Sequence, residues 1–209
     1  MKNFFSNFYH KFIRYKFYDN IESINYKQLC EFEKFPSELY RVKLFEQLDT
    51  KKITSVLDYG CEYGLNMKII KKLNQNIKLN CMEISDEKSK MLNIINENIY
   101  KMSINQLNIQ MLNKYKSQFD LVFTDAVLIY VGKNKIFNVI KNLINSSKKT
   151  ILFHELTNEY SSEAVNHLYL HDYRLIIKQI NPKLKVKFYK SNKPGSPWKL
   201  HGTKIIIEK

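Results

Sequence analysis

The stretch that decides the fold is Ser55-Val56-Leu57-Asp58-Tyr59-Gly60-Cys61-Glu62-Tyr63-Gly64. It begins as a short apolar run, ends in an acid and two glycines, and is followed by residues 65–70, whose apolar side chains recur at helical spacing. The pattern predicts a strand, a tight turn and a helix. A second apolar run over residues 77–82 ends in Glu83, nineteen residues after Gly64.

Both turns belong at the carboxyl ends of neighbouring strands, which is where a doubly wound sheet binds nucleotides. Glycines let the backbone approach a ligand closely, and an acid about 20 residues further on can accept hydrogen bonds from two ribose hydroxyls. The glycines here read G-x-x-x-G, whereas a dinucleotide site reads G-x-G-x-x-G. Asp58 would repel a pyrophosphate, but it suits an ammonium group. The turn therefore predicts a nucleotide site of another kind.

Residues 55–64 resemble motif I of the class I S-adenosylmethionine-dependent methyltransferases, which often reads V-L-D-x-G-C-G-x-G. The resemblance implies a Rossmann-like fold and S-adenosyl-L-methionine (SAM) as cofactor, with Glu83 on its ribose. It also implies that four residues line the methionine end of the cofactor: Asp58, Gly60, Cys61 and Gly64. The sequence departs from the family at Glu62, which stands where the middle glycine is usual.

Beyond the turn, apolar segments alternate between strand-like and helix-like patterns, which indicates an α/β fold with a doubly wound, mostly parallel sheet. Strands are predicted near 53–58, 78–83, 99–103, 119–124 and 150–155, and helices near 64–75, 86–96, 133–147 and 160–180. Strand-like residues 185–189 and 203–207 predict a C-terminal antiparallel hairpin and a total of seven strands. Residues 1–50 are predicted to be a helical extension, and residues 51–209 the SAM-binding domain.

The composition limits the classes of partner. The 209 residues carry a formal net charge of +14, but only three of the 34 basic residues are arginines. Nucleic-acid recognition favours the bidentate guanidinium, so nucleic acid is not the expected partner. Tyr173–Ile207 holds nine basic residues and no acid, which is either solvated surface or a contact for an anionic acceptor. Three scattered cysteines and the absence of a long apolar run predict a cytoplasmic protein without a transmembrane segment.

The N-terminal extension has aromatic residues at helical spacing between Phe4 and Phe17, interleaved with basic ones. One interpretation is an amphipathic helix that covers the sheet or the substrate cleft. The other is weak contact with a membrane surface through this basic aromatic helix.

Two further positions take cofactor roles from the resemblance. In the family, the residue after the third strand pairs with the adenine amino group and its apolar neighbour stacks on the ring, which here implies Ser103 and Ile104. At the end of the fourth strand, Asp125 is the candidate for contact with the cofactor or the acceptor. The alternative is that Asp125 only caps the following turn.

Transfer of a methyl group to a hydroxyl requires a general base. His154 and Glu155 end the fifth strand, and alternation sends only one of them toward the cleft. His171 is the third candidate for the catalytic base. His167 lies four residues earlier, so the two histidines would share a face of a helix. A metal site would need a third ligand such as Asp125 or Glu155, and no metal is predicted.

These observations predict a SAM-dependent methyltransferase that acts on a small acceptor, with a hydroxyl of a sugar or saccharide intermediate as the expected target. A weak similarity to methylases of surface-sugar biosynthesis, in which His-Asp also follows the fifth strand, points the same way. One alternative is an RNA methyltransferase, although the N/D-P-P-Y/F/W motif of amino methylation is replaced here by Thr124-Asp125-Ala126-Val127. The other is a non-catalytic, cofactor-binding partner subunit.

Overall fold

The computed structural model describes residues 37–96, 100–157, 168–193 and 198–209. Leu39–Lys209 form one compact unit, and Met1–Glu38 form another that lies almost wholly outside these ranges. The predicted N-terminal aromatic helix and His167 also lie outside them. None of the helices in the described ranges combines the length and apolar character that a membrane crossing requires.

The described chain alternates strands and helices from residue 55 onward. The strands are β1 (Ser55–Tyr59), β2 (Lys78–Met82), β3 (Asn105–Gln106), β4 (Phe119–Asp125), β5 (Ser147–Leu156), β6 (Lys185–Lys190) and β7 (Gly202–Glu208). The helices are α1 (Ser37–Phe45), α2 (Leu65–Leu73), α3 (Asp86–Ile95), α4 (Ile136–Ser146), α5 (Tyr173–Ile180) and α6 (Trp198–His201).

The seven described strands form one sheet in the order β3-β2-β1-β4-β5-β7-β6. Strands β1 to β5 pair in parallel, and β7 runs antiparallel to both of its neighbours. The predicted mostly parallel, seven-stranded α/β sheet with a C-terminal antiparallel pair is confirmed. The chain order reverses between β1 and β4, which makes the crevice above these two strands the switch point where ligands bind in such sheets.

The predicted position of the third strand, residues 99–103, was wrong. The strand is Asn105–Gln106, and it pairs with β2 through Asn80 and Cys81. The apolar residues that suggested a strand pack against the core instead: Met102 is buried, while Tyr100 and Ile104 are partly buried against the same cluster.

Strand residues alternate between two apolar clusters, one on each face of the sheet. Val56 and Leu121 belong to the cluster that α1, α2 and α3 cover, and Leu57 and Val122 to the cluster that α4 and α5 cover. Because side chains two residues apart share a face, Asp58 points to the same face as Val56. Leu44 and Phe45 of helix α1 are buried in the cluster on this face.

Candidate active site

The turn after β1 is built from left-handed backbone. Gly60, Glu62 and Gly64 have φ values of +81°, +48° and +77°. A Cβ at Gly60 would lie 2.5 Å from Val127 Cγ2, so glycine is needed there for space as well as for conformation. The turn is fastened to β2 by the Gly60 N–H, which donates to the Met82 carbonyl at 2.7 Å.

Glu62 adopts the positive φ that the family's glycine would supply, and its side chain forms an ion pair. Its carboxylate pairs with Lys88 at 2.8 Å and is about half exposed. Its backbone N–H donates to Glu83 Oε2 at 2.9 Å, and the Ser85 N–H donates to Glu83 Oε1 at the same distance. Glu83 is therefore held beside the turn, with one lone pair left on each oxygen.

Asp58 is buried at the end of β1, with a relative exposure of 1%. Its Oδ2 atom has no hydrogen-bond partner among the described residues. Burial, followed by the nearby Asp125 carboxylate, raises the pKa of Asp58 well above its usual value, and Arg41 acts in the opposite direction. A buried carboxyl without a partner costs free energy. Its free oxygen is therefore a place where a cationic hydrogen-bond donor would be stabilised.

Arg41 on α1 brings a positive charge to the same crevice. Its Nη1 donates to Asn66 Oδ1 at 2.6 Å and lies 3.5 Å from Asp125 Oδ2. Its Nε is buried and has no partner among the described residues. Arg41 was not predicted as a site residue, although an arginine in so lysine-rich a chain, fourteen residues before the first strand, was an available signal.

Asp125 is the centre of a buried hydrogen-bond network. Its Oδ2 accepts from the Tyr40 hydroxyl at 2.9 Å and from Asn66 Nδ2 at 3.1 Å. Its Oδ1 accepts from His154 Nδ1 at 2.8 Å and from Lys193 Nζ at 3.4 Å. Burial acts to raise the pKa of Asp125, but Lys193 and His154 outweigh it and hold that pKa well below its usual value. Asp125 is thus an ionised acceptor.

Both ring nitrogens of His154 have partners. Because the ionised Asp125 carboxylate can only accept, Nδ1 of His154 carries a proton. Nε2 lies 2.6 Å from Ser191 Oγ, and this oxygen accepts from the Lys193 N–H at 3.0 Å. The Trp198 ring lies beside the imidazole, with 5.0 Å between the centroids. Nε2 therefore lies on the side of the connection between β6 and β7. Ser191 and Lys193 were not predicted as site residues.

Glu155 points to the opposite face of the sheet and is fully buried. Its Oε1 accepts from Thr124 Oγ1 at 2.7 Å and from the N–H groups of Val127 and Leu128 at 3.1 Å. Burial raises the pKa of Glu155 to about 7, although these hydrogen bonds act to lower it. Glu155 thus anchors the segment after β4, whose Val127 packs against Gly60.

His171 is also buried and contacts the same segment. Its Nε2 lies 3.1 Å from the Leu128 carbonyl and 3.0 Å from the Val131 carbonyl, so this nitrogen is the donor. Burial lowers the pKa of His171. Of the three predicted bases, the structure brings only His154 into the Asp125 network.

The remaining predicted residues lie apart from that network. The Cys61 side chain is buried next to Cys81, and their hydrogen bond, followed by burial, raises the pKa of the Cys61 thiol. Ser103 is exposed, and both it and Ile104 precede β3, so the residues that follow the strand are Leu107 and Asn108. Among the described residues, no three His, Cys, Asp or Glu side chains form a group that could hold a metal ion.

No protein-family model matches the chain, and no curated protein matches its sequence. Solved structures do match its fold. The magnesium protoporphyrin IX methyltransferase ChlM from Synechocystis, crystallised with S-adenosylhomocysteine (SAH), superposes with a TM-score of 0.64 at 11% identity over 100% of both chains. A SAM-dependent methyltransferase from Aquifex aeolicus gives a TM-score of 0.65 at 12% identity, over 89% of this chain and 99% of that one.

A third match is the plantazolicin methyltransferase BpumL, in complex with a pentazolic desmethylPZN analogue and SAH. Its TM-score is 0.61 at 14% identity, over 88% of this chain and 89% of that one. The chain therefore has the fold of the SAM-dependent methyltransferases.

Proposed function

We propose that the protein is a SAM-dependent methyltransferase that uses His154 to deprotonate a hydroxyl of a small acceptor. One observation carries the proposal: beside the glycine turn of a methyltransferase fold lie two buried, unpartnered atoms of opposite charge, Asp58 Oδ2 and Arg41 Nε. The amino-acid end of SAM is a zwitterion. Its ammonium suits the Asp58 carboxylate, and its carboxylate suits the Arg41 guanidinium.

The ribose and adenine of the cofactor are assigned to residues that follow the ends of β2 and β3. Glu83 is the ribose residue in this proposal, because backbone N–H groups already orient its two oxygens and each keeps a free lone pair. The adenine roles first given to Ser103 and Ile104 depended on a strand ending at residue 103. Since β3 ends at Gln106, we assign those roles to Asn108 and Leu107.

SAM would supply an electrophilic methyl group for in-line transfer to the acceptor oxygen, with the neutral thioether SAH as the leaving group. The protein's part is to position the acceptor and to take its proton. His154 Nε2 receives that proton, and the Asp125 carboxylate stabilises the resulting imidazolium through Nδ1. The imidazole is pre-oriented, since Asp125 and Ser191 fix both of its nitrogens.

A hydroxyl acceptor is favoured because such a base is needed when an O–H proton must leave with the transfer. A hydroxyl of a sugar or saccharide intermediate remains our specific proposal for the acceptor, on the resemblance noted in the sequence analysis. His171 and Glu155 are assigned to holding the segment after β4, because their contacts lie there.

The proposal is tested in two steps. Calorimetric titration of the purified protein with SAH should show binding at one site, and incubation with methyl-labelled SAM and a small-molecule extract should transfer label to a discrete product. Replacement of His154 by Gln should retain the first result and lose the second. Absence of SAH binding would refute the site, whereas binding without transfer in any extract would favour the non-catalytic partner subunit.

A further inference from the structure

A small cavity lies beside His154. Its walls include His154, Ser191 and Asn192, together with the side chains of Lys43 and Lys204. The enclosed part measures about 10 Å³, the space of a single water-sized sphere, and the cavity is open to solvent. It therefore fits one small polar group of a ligand, whose remaining atoms stay outside.

The charge around this cavity is mainly positive. Lys204 is nearly buried, and its ammonium is held by the Lys43 carbonyl at 2.8 Å, by Gln47 Oε1 and by Glu46 at 3.5 Å. Lys43 is exposed at the rim. The Glu46 side chain is 41% exposed, so solvent screens its charge.

A third cation, Lys193, lies near Tyr40, which also lines the cavity. Lys193 Nζ lies 3.4 Å from Asp125 Oδ1, and 4.2 Å and 5.2 Å from the ring centroids of Trp198 and Tyr40. With SAM bound, the ammonium and carboxylate of its amino-acid end would pair with Asp58 and Arg41, and its sulfonium would add another positive charge. Three lysines and the sulfonium would then face only two carboxylates, those of Asp125 and Glu46.

We propose that the acceptor is an anionic hydroxylated compound, whose phosphate or carboxylate group binds at Lys43 and Lys193 with Lys204 as a fixed positive charge behind them. This inference rests on the proposed methyl transfer. The acceptor hydroxyl enters the cavity beside His154 and takes the place of Ser191 Oγ as the donor to Nε2. The anionic group stays at the rim, where the exposed lysine side chain can reach it.

The test uses the full-length protein saturated with SAH and separate titrations with inorganic phosphate and with acetate at 150 mM chloride, which screens diffuse attraction. Phosphate binding alone indicates a phosphorylated acceptor, and acetate binding alone a carboxylated one. Lys43→Gln should lower the affinity for whichever anion binds by about fivefold, which is the effect of losing a partly exposed charge pair. Lys43→Glu should abolish binding of that anion.

Lys116→Gln is the matched control, because this exposed lysine precedes the amino end of β4, whereas the site lies at the carboxyl end of that strand. It should bind the probe like the unmodified protein, and all of these variants should bind SAH with unchanged affinity. The inference is overturned if neither probe binds the SAH complex, or if Lys43→Glu and Lys116→Gln bind the probe equally well. If the protein does not bind SAH at all, that result refutes the proposed function rather than the anionic acceptor.

Discussion

Replacing Asp58 by Asn should have opposite effects on cofactor affinity and on the stability of the free protein. The substitution keeps the shape of a side chain that is 1% exposed and removes its charge. A hydrogen bond to a charged group contributes roughly 1.5–3 kcal/mol, so SAH should bind about 10- to 150-fold more weakly. Without ligand, the variant should be at least as stable as the parent, because a buried amide costs less to desolvate than a buried carboxylate at the same unpartnered position.

Proton linkage gives a second readout of the same interaction. Burial raises the pKa of Asp58 well above its usual value, and an ammonium bound beside the carboxyl acts to lower that pKa, so SAH binding should release protons at pH values near the raised pKa. Below this raised pKa, SAH affinity should fall about tenfold for each unit of pH. Calorimetry in buffers of different ionisation enthalpy should therefore detect proton release for the parent protein and less release for Asp58→Asn.

Asp120→Asn is the matched control for this experiment. Asp120 lies at the start of β4, and its Oδ2 accepts from the Thr54 N–H at 2.8 Å and from the Thr54 hydroxyl at 2.6 Å. The control should lower stability and leave SAH affinity unchanged. Equal SAH affinity of Asp58→Asn and the parent, with the same proton release, would refute the assignment of the ammonium to Asp58.

Three further substitutions test separate parts of the site. His154→Gln should bind SAH within about twofold of the parent and lower methyl transfer by roughly 10²–10⁴, measured as label transferred per minute; full transfer would remove His154 as the base. Glu62→Gly should be about 1 kcal/mol more stable in denaturant unfolding than Glu62→Ala. Both variants lose the exposed ion pair with Lys88, but only glycine tolerates φ +48° without strain. Equal free energies of unfolding for the two variants would contradict this prediction. Burial raises the pKa of Glu155 from 4.5 to about 7 in the folded state, so the folded state binds this proton more tightly than the unfolded state does. The free energy of unfolding should therefore fall by about 3 kcal/mol as the pH rises from 4.5 to 7 and the proton leaves. In urea unfolding measured across this pH range, Glu155→Gln should lack this part of the pH dependence. The same change of unfolding free energy with pH in both proteins would contradict the prediction.

The fold could be predicted from the sequence because its local signals agree with its tertiary structure. The glycines at 60 and 64 mark a turn that needs left-handed backbone, and the apolar runs of β1, β2 and β4 are buried on both faces. The third strand could not be located in this way. It has only two polar residues, and the apolar residues before it pack on the core, so hydrophobic periodicity marked the wrong segment.

The site could be predicted only in part, because its residues come together through the sheet order. Asp125 and His154 end adjacent strands, so their proximity follows once β4 and β5 are paired. Tyr40 and Arg41 come from a helix before the first strand, and Ser191 and Lys193 from the connection between β6 and β7. No local pattern links these positions, and Glu62 shows that a side chain at a glycine position can turn outward into an ion pair.

The cofactor assignment can be checked in a crystal structure of the protein grown with saturating SAH. The SAH ammonium should lie within about 3 Å of Asp58 Oδ2, the usual length of such a hydrogen bond, with its carboxylate at Arg41 and its ribose hydroxyls on Glu83. An empty crevice beside Gly60, or SAH bound with its amino-acid end away from Asp58, would contradict it.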